Sequence, residues 1–167
     1  RHPLADVSAR AAAPIGAVFT ALALITGSLW GKPMWGTWWV WDARLTSVLV
    51  LLIIYLGLMA LWRAFDDPAR AAKPAAVLIL VGSINLPIIK FSVDLWKEST
   101  IHQPSSVIRF GEAAAESSGI HPVFLVPLLI GFLGQILLSS GLIMLLMRAE
   151  IFGQQADALI ARRLNEA

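Results

Sequence analysis

Residues 35–42 read Trp-Gly-Thr-Trp-Trp-Val-Trp-Asp, so four of the seven tryptophans and one carboxylate share a single short stretch. Indole rings are broad, flat and amphipathic. They settle at membrane–water boundaries, and when grouped they make a platform for a flat apolar ligand. Read as a strand, the stretch puts Trp35, Trp39 and Trp41 on one face. Read as a helix, it gathers Trp35, Trp38, Trp39 and Asp42 at three- and four-residue spacings. Either geometry yields a wall of indoles, and composition alone leaves interfacial belt and ligand platform both open. Gly36 sits inside the cluster.

One imidazole lies on a loop, His102 in Thr-Ile-His-Gln-Pro. Alone, such a residue is a solvated polar side chain. Beside an aromatic platform, a neutral imidazole is what haem iron takes as an axial ligand. His121 stands immediately before Pro122 at the start of an apolar run, which suits a helix N-terminus, where proline needs no amide donor. Asp42 and Arg44 are two residues apart. The carboxylate is expected to shape the loop by accepting backbone amides, while Arg44, Lys32 or Arg109 would meet ligand carboxylates, for which a guanidinium is geometrically suited. There is no Gly-rich phosphate loop, no His-Glu-x-x-His and no nucleophile–base set, so no enzyme is expected. With no cysteine, disulfides, thiol chemistry and covalent haem attachment through Cys-x-x-Cys-His are excluded.

The elements that must position these residues are membrane helices. The chain is 57% hydrophobic and only 14% charged, with a mean hydropathy of +0.73, which places it among integral membrane proteins. A spanning helix needs ~20 mostly apolar residues. Four stretches qualify, giving an all-α integral membrane protein, a single membrane domain over 1–167 with spans at about 11–31, 45–63, 74–93 and 121–147. The third is short unless Lys90 snorkels and the helix continues through Phe91 and Val93. Asn85 and Pro87 lie within it, and the proline would free a carbonyl for a neighbour. The chain begins at Arg1, without a signal-peptide pattern, as expected for a piece of a longer protein.

Lysine and arginine set the orientation. Arg1, Arg10, Arg63, Arg70, Lys73, Arg148, Arg162 and Arg163 fall on one side, and Lys32, Arg44, Lys90, Lys97 and Arg109 on the other. The excess places both termini, loop 64–73 and tail 148–167 in the cytoplasm. Loops 32–44 and 94–120 then face outward together, bringing the tryptophans and His102 to one membrane face. The second of these loops is polar and longer than a helix hairpin needs, as loops that bind something are. After Gly153 a short polar helix is expected, with Leu159, Ile160 and Leu164 on its apolar side. The formal charge of +2 gives no indication of nucleic acid.

At Trp35-Gly36-x-x-Trp39-x-Trp41-Asp42 the sequence resembles the tryptophan-rich WWD signature of haem-handling proteins in cytochrome c biogenesis. The continuation Ala43-Arg44-Leu45-Thr46-Ser47 is similar to the CcmC branch of system I. So are the run from Ala13-Pro14-Ile15-Gly16 to Gly31-Lys32-Pro33-Met34, and Asn85-Leu86-Pro87-Ile88-Ile89. The resemblance covers most of the chain and weakens after about Gln103.

It implies a six-span protein of the bacterial inner membrane with both termini cytoplasmic, so that the first two spans lie outside this chain. Haem b is then held transiently on the periplasmic face, by two loop histidines and the tryptophan loop, and delivered to the haem chaperone CcmE. The implied partners are CcmE, the small membrane protein CcmD, the ABC transporter subunits CcmA and CcmB, and membrane lipid. His102 matches the second of the family's histidines, the iron ligand. The first has no counterpart here. Trp35, Gly36, Trp38, Trp39, Trp41, Asp42, Arg44 and His102 are the expected haem-site residues. Two other readings compete. A membrane b-type cytochrome places its ligand histidines inside facing spans, where this chain has none but His121 at an edge. A haem permease subunit of an ABC-type exporter needs polar residues along several spans, and only Asn85, Gln135, Ser139 and Ser140 offer themselves.

Overall fold

The computed structural model describes residues 3–65, 68–96, 100–103 and 122–166. These form four helices: α1 (Pro3–Trp35), α2 (Ala43–Arg63), α3 (Pro68–Leu95) and α4 (Pro122–Glu166). Each contains a segment long and apolar enough to cross a membrane: Leu4–Trp35, Ala43–Arg63, Arg70–Leu95 and Val123–Leu164. Among the described residues every regular element is helical, and the chain is a multi-pass membrane protein, in which each helix satisfies its own backbone groups within hydrocarbon.

The helices outrun the apolar stretches. At ~1.5 Å per residue, the 33 residues of α1 reach roughly 50 Å, well past a bilayer core of ~30 Å. Its polar N-terminal turns continue the same helix. Likewise α3 does not stop at the end of its apolar run but carries on through Lys90, Phe91 and Val93 to Leu95. Pro74 and Pro87 are accommodated inside it. The greatest departure is α4. In place of a span followed by a separate tail helix, one helix of 45 residues continues through Gly153 to Glu166, since nothing in that stretch breaks it. Leu159, Ile160 and Leu164 are all exposed on it.

Packing runs from α3 to α2 to α1 to α4. Small residues set the spacing, as in membrane bundles generally, where backbones approach closely because hydrocarbon supplies no hydrophobic drive between helices. Ala13 of α1, Leu58 of α2 and Ala75 of α3 form the buried centre, with Tyr55, Met59, Trp62 and Leu78 packed around it. Between α1 and α2, a Cβ on Gly16 would lie 2.5 Å from the Tyr55 ring, so any side chain there displaces that ring. Elsewhere the helix surfaces expose large apolar groups, including Phe124, Phe132 and Leu133, as expected where lipid is the solvent. The bundle is antiparallel along α1–α3, so the α1–α2 connection and the segment following α3 emerge at the same end. That end carries the tryptophans.

Candidate functional site

The site is built from two helix termini and the residues joining them. α1 stops at Gly36, whose φ of +76° lies in the left-handed region that glycine enters without Cβ strain. Its amide donates to the Lys32 carbonyl at 3.0 Å, and Lys32 Nζ donates back to the Gly36 carbonyl at 3.0 Å. Residues 37–42 are irregular, neither of the two regular geometries that the spacing allows. The Thr37 hydroxyl steadies them by donating to the Trp39 carbonyl at 3.0 Å.

Asp42 opens α2. It is the N-cap, in extended conformation, and its Oδ1 accepts the Leu45 amide at 2.8 Å. A carboxylate here satisfies an otherwise orphaned donor and suits the positive end of the helix dipole. That much agrees with a loop-shaping carboxylate. Its other oxygen does something that spacing alone does not reveal. Oδ2 accepts the Thr100 hydroxyl at 2.9 Å and meets His102 Nδ1 at 2.5 Å. The His102 amide donates in turn to Thr100 Oγ1 at 3.1 Å, closing a three-residue network.

The Asp42 side chain is wholly buried, while that of His102 keeps 16% of its surface exposed. Burial alone pushes the Asp42 carboxyl up. The Leu45 amide, the hydrogen bonds from His102 and Thr100, and the charge of His102 outweigh it and hold the carboxyl below its ordinary value. A carboxylate at Nδ1 keeps a proton on that nitrogen and leaves Nε2 as the lone-pair atom. This is the arrangement found behind histidines that bind metal.

One indole, Trp35, meets this imidazole edge to face, and Trp30 backs that indole. Trp35 meets His102 at 5.1 Å between centroids and Trp30 at 4.9 Å, with interplanar angles of 62° and 87°. Trp39 and Trp41 form a separate pair at 5.5 Å and 76°, and Lys32 Nζ lies 5.9 Å from the Trp38 ring. The rings thus form a herringbone rather than one flat wall. Together they line a cleft of about 80 Å³, with Trp30, Trp35, Trp38, Trp39, Ile101 and His102 among its walls. Pockets that enclose a small molecule run to roughly 300–1,000 Å³, so this cleft has room for no more than the edge of a large ligand. Trp39 Nε1 is buried on it without a hydrogen-bond partner among the described residues. An orphaned donor of this kind costs free energy unless an acceptor arrives.

Of the residues expected at the site, Trp35, Trp38, Trp39 and His102 line the cleft, and Asp42 stands behind His102. Trp41 is 74% exposed and reaches the others only through Trp39. Gly36 makes the turn and Arg44 lies in the first turn of α2, both outside the cleft lining. His121, Lys97 and Arg109, with most of loop 94–120, fall outside the described residues. Thr100 and Trp30 were not anticipated. Trp30 is five residues from Trp35, off the helical neighbour spacing. Thr100 offered only the weak signal of a hydroxyl two residues before a histidine.

The chain as a whole is matched by known sequences. The family model CcmC, described as "Heme exporter protein C", matches residues 1–162. The Bradyrhizobium diazoefficiens protein named heme exporter protein C is 62% identical over 159 residues, covering 95% of this chain and 58% of the relative. The Escherichia coli protein of that name is 51% identical over 87% of this chain and 55% of its own length. The Paracoccus denitrificans protein is 43% identical over 97% of this chain and 65% of its own. The chain thus spans a little over half to about two thirds of the length of these curated relatives. With nearly every residue matched and identities well above what a shared fold alone requires, the chain belongs to the CcmC family.

Proposed function

We propose that the protein binds haem at the tryptophan end of the bundle, on the periplasmic face of the bacterial inner membrane, and hands it to the chaperone CcmE during cytochrome c maturation. The observation that carries this reading is the Asp42–His102 pair at the edge of an indole-lined cleft. His102 Nε2 supplies an axial ligand to the iron, Asp42 fixes the imidazole, and the indoles cover part of the macrocycle. Trp39 Nε1 offers a donor to an oxygen on the haem edge. The names of the relatives, heme exporter protein C, point the same way.

A cleft too small to enclose a porphyrin suits a carrier that must release its cargo. Most of the ring stays available to the next protein, and retention rests on a few contacts. The chain performs no bond-making chemistry on the haem in this reading. It works with CcmD and the ABC subunits CcmA and CcmB, and a second histidine from outside this chain completes the iron's coordination. The membrane-cytochrome alternative gains nothing from the structure, because the only described histidine lies at the helix ends, not between facing spans.

The test is transfer. Full-length protein purified with bound haem is mixed with the soluble domain of CcmE, and haem is followed by absorption as it changes hands. Transfer from wild type and none from His102→Ala supports the reading. Equal loading of CcmE by both sinks it. Orientation is checked separately. A reporter active only in the periplasm works when fused within residues 112–118 and fails at Asp67. The reverse pattern would move the site to the wrong side of the membrane.

A further inference from the structure

We propose that Asn85, buried in the middle of the membrane helices, is a positioning residue for His102: its hydrogen bond to α2 sets the register of α3 and thereby the place at which His102 meets Asp42. The inference rests on the haem reading of the tryptophan end and adds a control on its geometry from within the bilayer.

Asn85 Nδ2 donates to the Ser47 carbonyl at 2.8 Å, across 38 residues of sequence. Both residues are buried, at 8% and 6% exposure. The Ser47 hydroxyl is occupied with its own helix, donating to the Ala43 and Arg44 carbonyls at 2.6 and 3.0 Å. The Ser47 carbonyl keeps a second lone pair for a partner helix, and Asn85 takes it. Two residues further on, Pro87 has no amide to give the Ser83 carbonyl, so α3 is weakened at this level. A cross-helix bond placed beside such a weak point fixes what the helix's own ladder leaves loose.

The geometry connects this bond to the site. Ser47 lies five residues into the membrane from Asp42, roughly 7.5 Å along α2, and Asn85 lies ten residues from the end of α3, roughly 15 Å. α3 therefore extends beyond the α2 N-cap, and the chain returns through Thr100 and His102 to reach Asp42. Two links join the same pair of helices, one at each level, and closing the upper requires the lower to be in register. The intervening face is tight. Asn85, Ser92 and Val93 repeat at seven and eight residues, and Ser92 and Val93 are 0% and 2% exposed. Below Asn85, a Cβ on Gly82 would lie 3.1 Å from Ile54, so α3 has little room to slide on α2. Polar residues bonded across membrane helices commonly specify such pairings.

The experiment uses full-length protein in lipid nanodiscs, with bound haem, as wild type, Asn85→Leu and His102→Ala. Leucine removes the donor and orphans nothing, since the Ser47 carbonyl keeps its own helical amide. Losing one interhelical hydrogen bond in a membrane weakens an association by about three- to tenfold, and haem retention on dilution should fall by that factor. Protein level and thermal melting should hold, while the ferric haem's low-spin resonance signature shifts. A second arm separates positioning from general packing. In His102→Gly supplied with free imidazole, the ligand is no longer tethered to α3, so adding Asn85→Leu should make no further difference. If Asn85→Leu does not accumulate, Asn85→Ala, which leaves space rather than filling it, is measured in the same way and decides. Unchanged retention and spectrum, or an equal loss in the imidazole background, would overturn the role of Asn85. Retention of haem by His102→Ala would instead overturn the haem reading beneath it.

Discussion

α2 joins two ends of very different character. At its N-terminal end, Asp42 caps the helix and anchors Thr100 and His102 beside a cleft of about 80 Å³. At its C-terminal end, Arg63 and Trp62 border a chamber of about 660 Å³ between α1, α2 and α4. This chamber is the larger by far and lies within the range of small-molecule pockets. Yet its polar lining is Arg10, Arg63, Glu150, Gln154 and Asp157, with no imidazole among the described residues. Among the described residues no cluster of three metal-ligating side chains occurs at either end. What distinguishes the Asp42 end is a single imidazole whose Nδ1 is committed to a buried carboxylate, with the Trp35 ring edge to face against it. Preparation of one nitrogen, rather than empty volume, marks the candidate site.

The difference is sharpest when the imidazole itself is removed. His102→Ala should strip most haem from the full-length protein and abolish the spectrum of an iron with two nitrogen ligands, as read by absorption of the purified protein. Next in size should be Asp42→Asn. Asparagine caps a helix about as well as aspartate, so α2 should form normally and circular dichroism should not change. The amide nitrogen, however, cannot accept a proton from Nδ1, and an amide facing that atom favours the tautomer with its proton on Nε2. Partners behind metal-binding histidines typically contribute about 10–100-fold to affinity, and haem titration should show a loss of that order. A loss no greater than that of a surface substitution would reduce Asp42 to a cap.

The indoles should matter less and unequally. Trp35 touches both Trp30 and His102, whereas Trp41 touches only Trp39 and stands 74% exposed. A ring–ring contact contributes about 0.5–1.5 kcal/mol beyond burial, and ~1.4 kcal/mol is tenfold in affinity. Trp35→Ala should therefore weaken haem retention several-fold, and Trp41→Ala less, in dilution assays on the same preparation. If Trp41 proves the greater, the ligand lies on the exposed side of the herringbone and the cleft is not its seat.

Much of this was legible in the chain. Four apolar stretches announced four helices, because length and lack of charge are sufficient conditions in a membrane. The dense run of tryptophans and the lone loop histidine were expected at one end of the bundle, and the structure brings Trp35 and His102 together there. What stayed hidden was every relation between distant residues. Asp42 and His102 are 60 positions apart and Asn85 and Ser47 are 38, and no periodicity encodes such pairings. Asp42 was expected to accept backbone amides and to belong to the site, but not to pair with His102, since its second oxygen has a partner only after α2 and α3 pack. The faces of Trp35–Trp41 were hidden too, because both strand and helix spacings presume regular backbone where Gly36 and Thr37 impose an irregular turn. The continuity of α4 was missed for the opposite reason. Polarity was taken as a boundary, but an ordinary polar sequence extends a helix once it is nucleated.

The smallest effect is expected at the C-terminal end of α2, and it tests the comparison from the other side. Arg10 Nη1 and Glu150 Oε1 pair at 2.8 Å with 27% and 31% of their side-chain surfaces exposed, joining α1 to α4 across the chamber. Glu150 Oε1 also accepts Gln154 Nε2 at 3.0 Å along its own helix, so it keeps a partner when Arg10 is lost. Pairs this exposed contribute about 0–1 kcal/mol after screening, and α1 and α4 retain their apolar contact. Arg10→Ala should consequently leave the melting temperature within a few degrees and haem retention unchanged, both measured on protein in nanodiscs. A several-fold loss of haem from Arg10→Ala would mean that the two ends are coupled through α1, whose far terminus carries Trp30 and Trp35. The contrast between a prepared site at the Asp42 end and a merely structural chamber at the Arg63 end would then have to be abandoned.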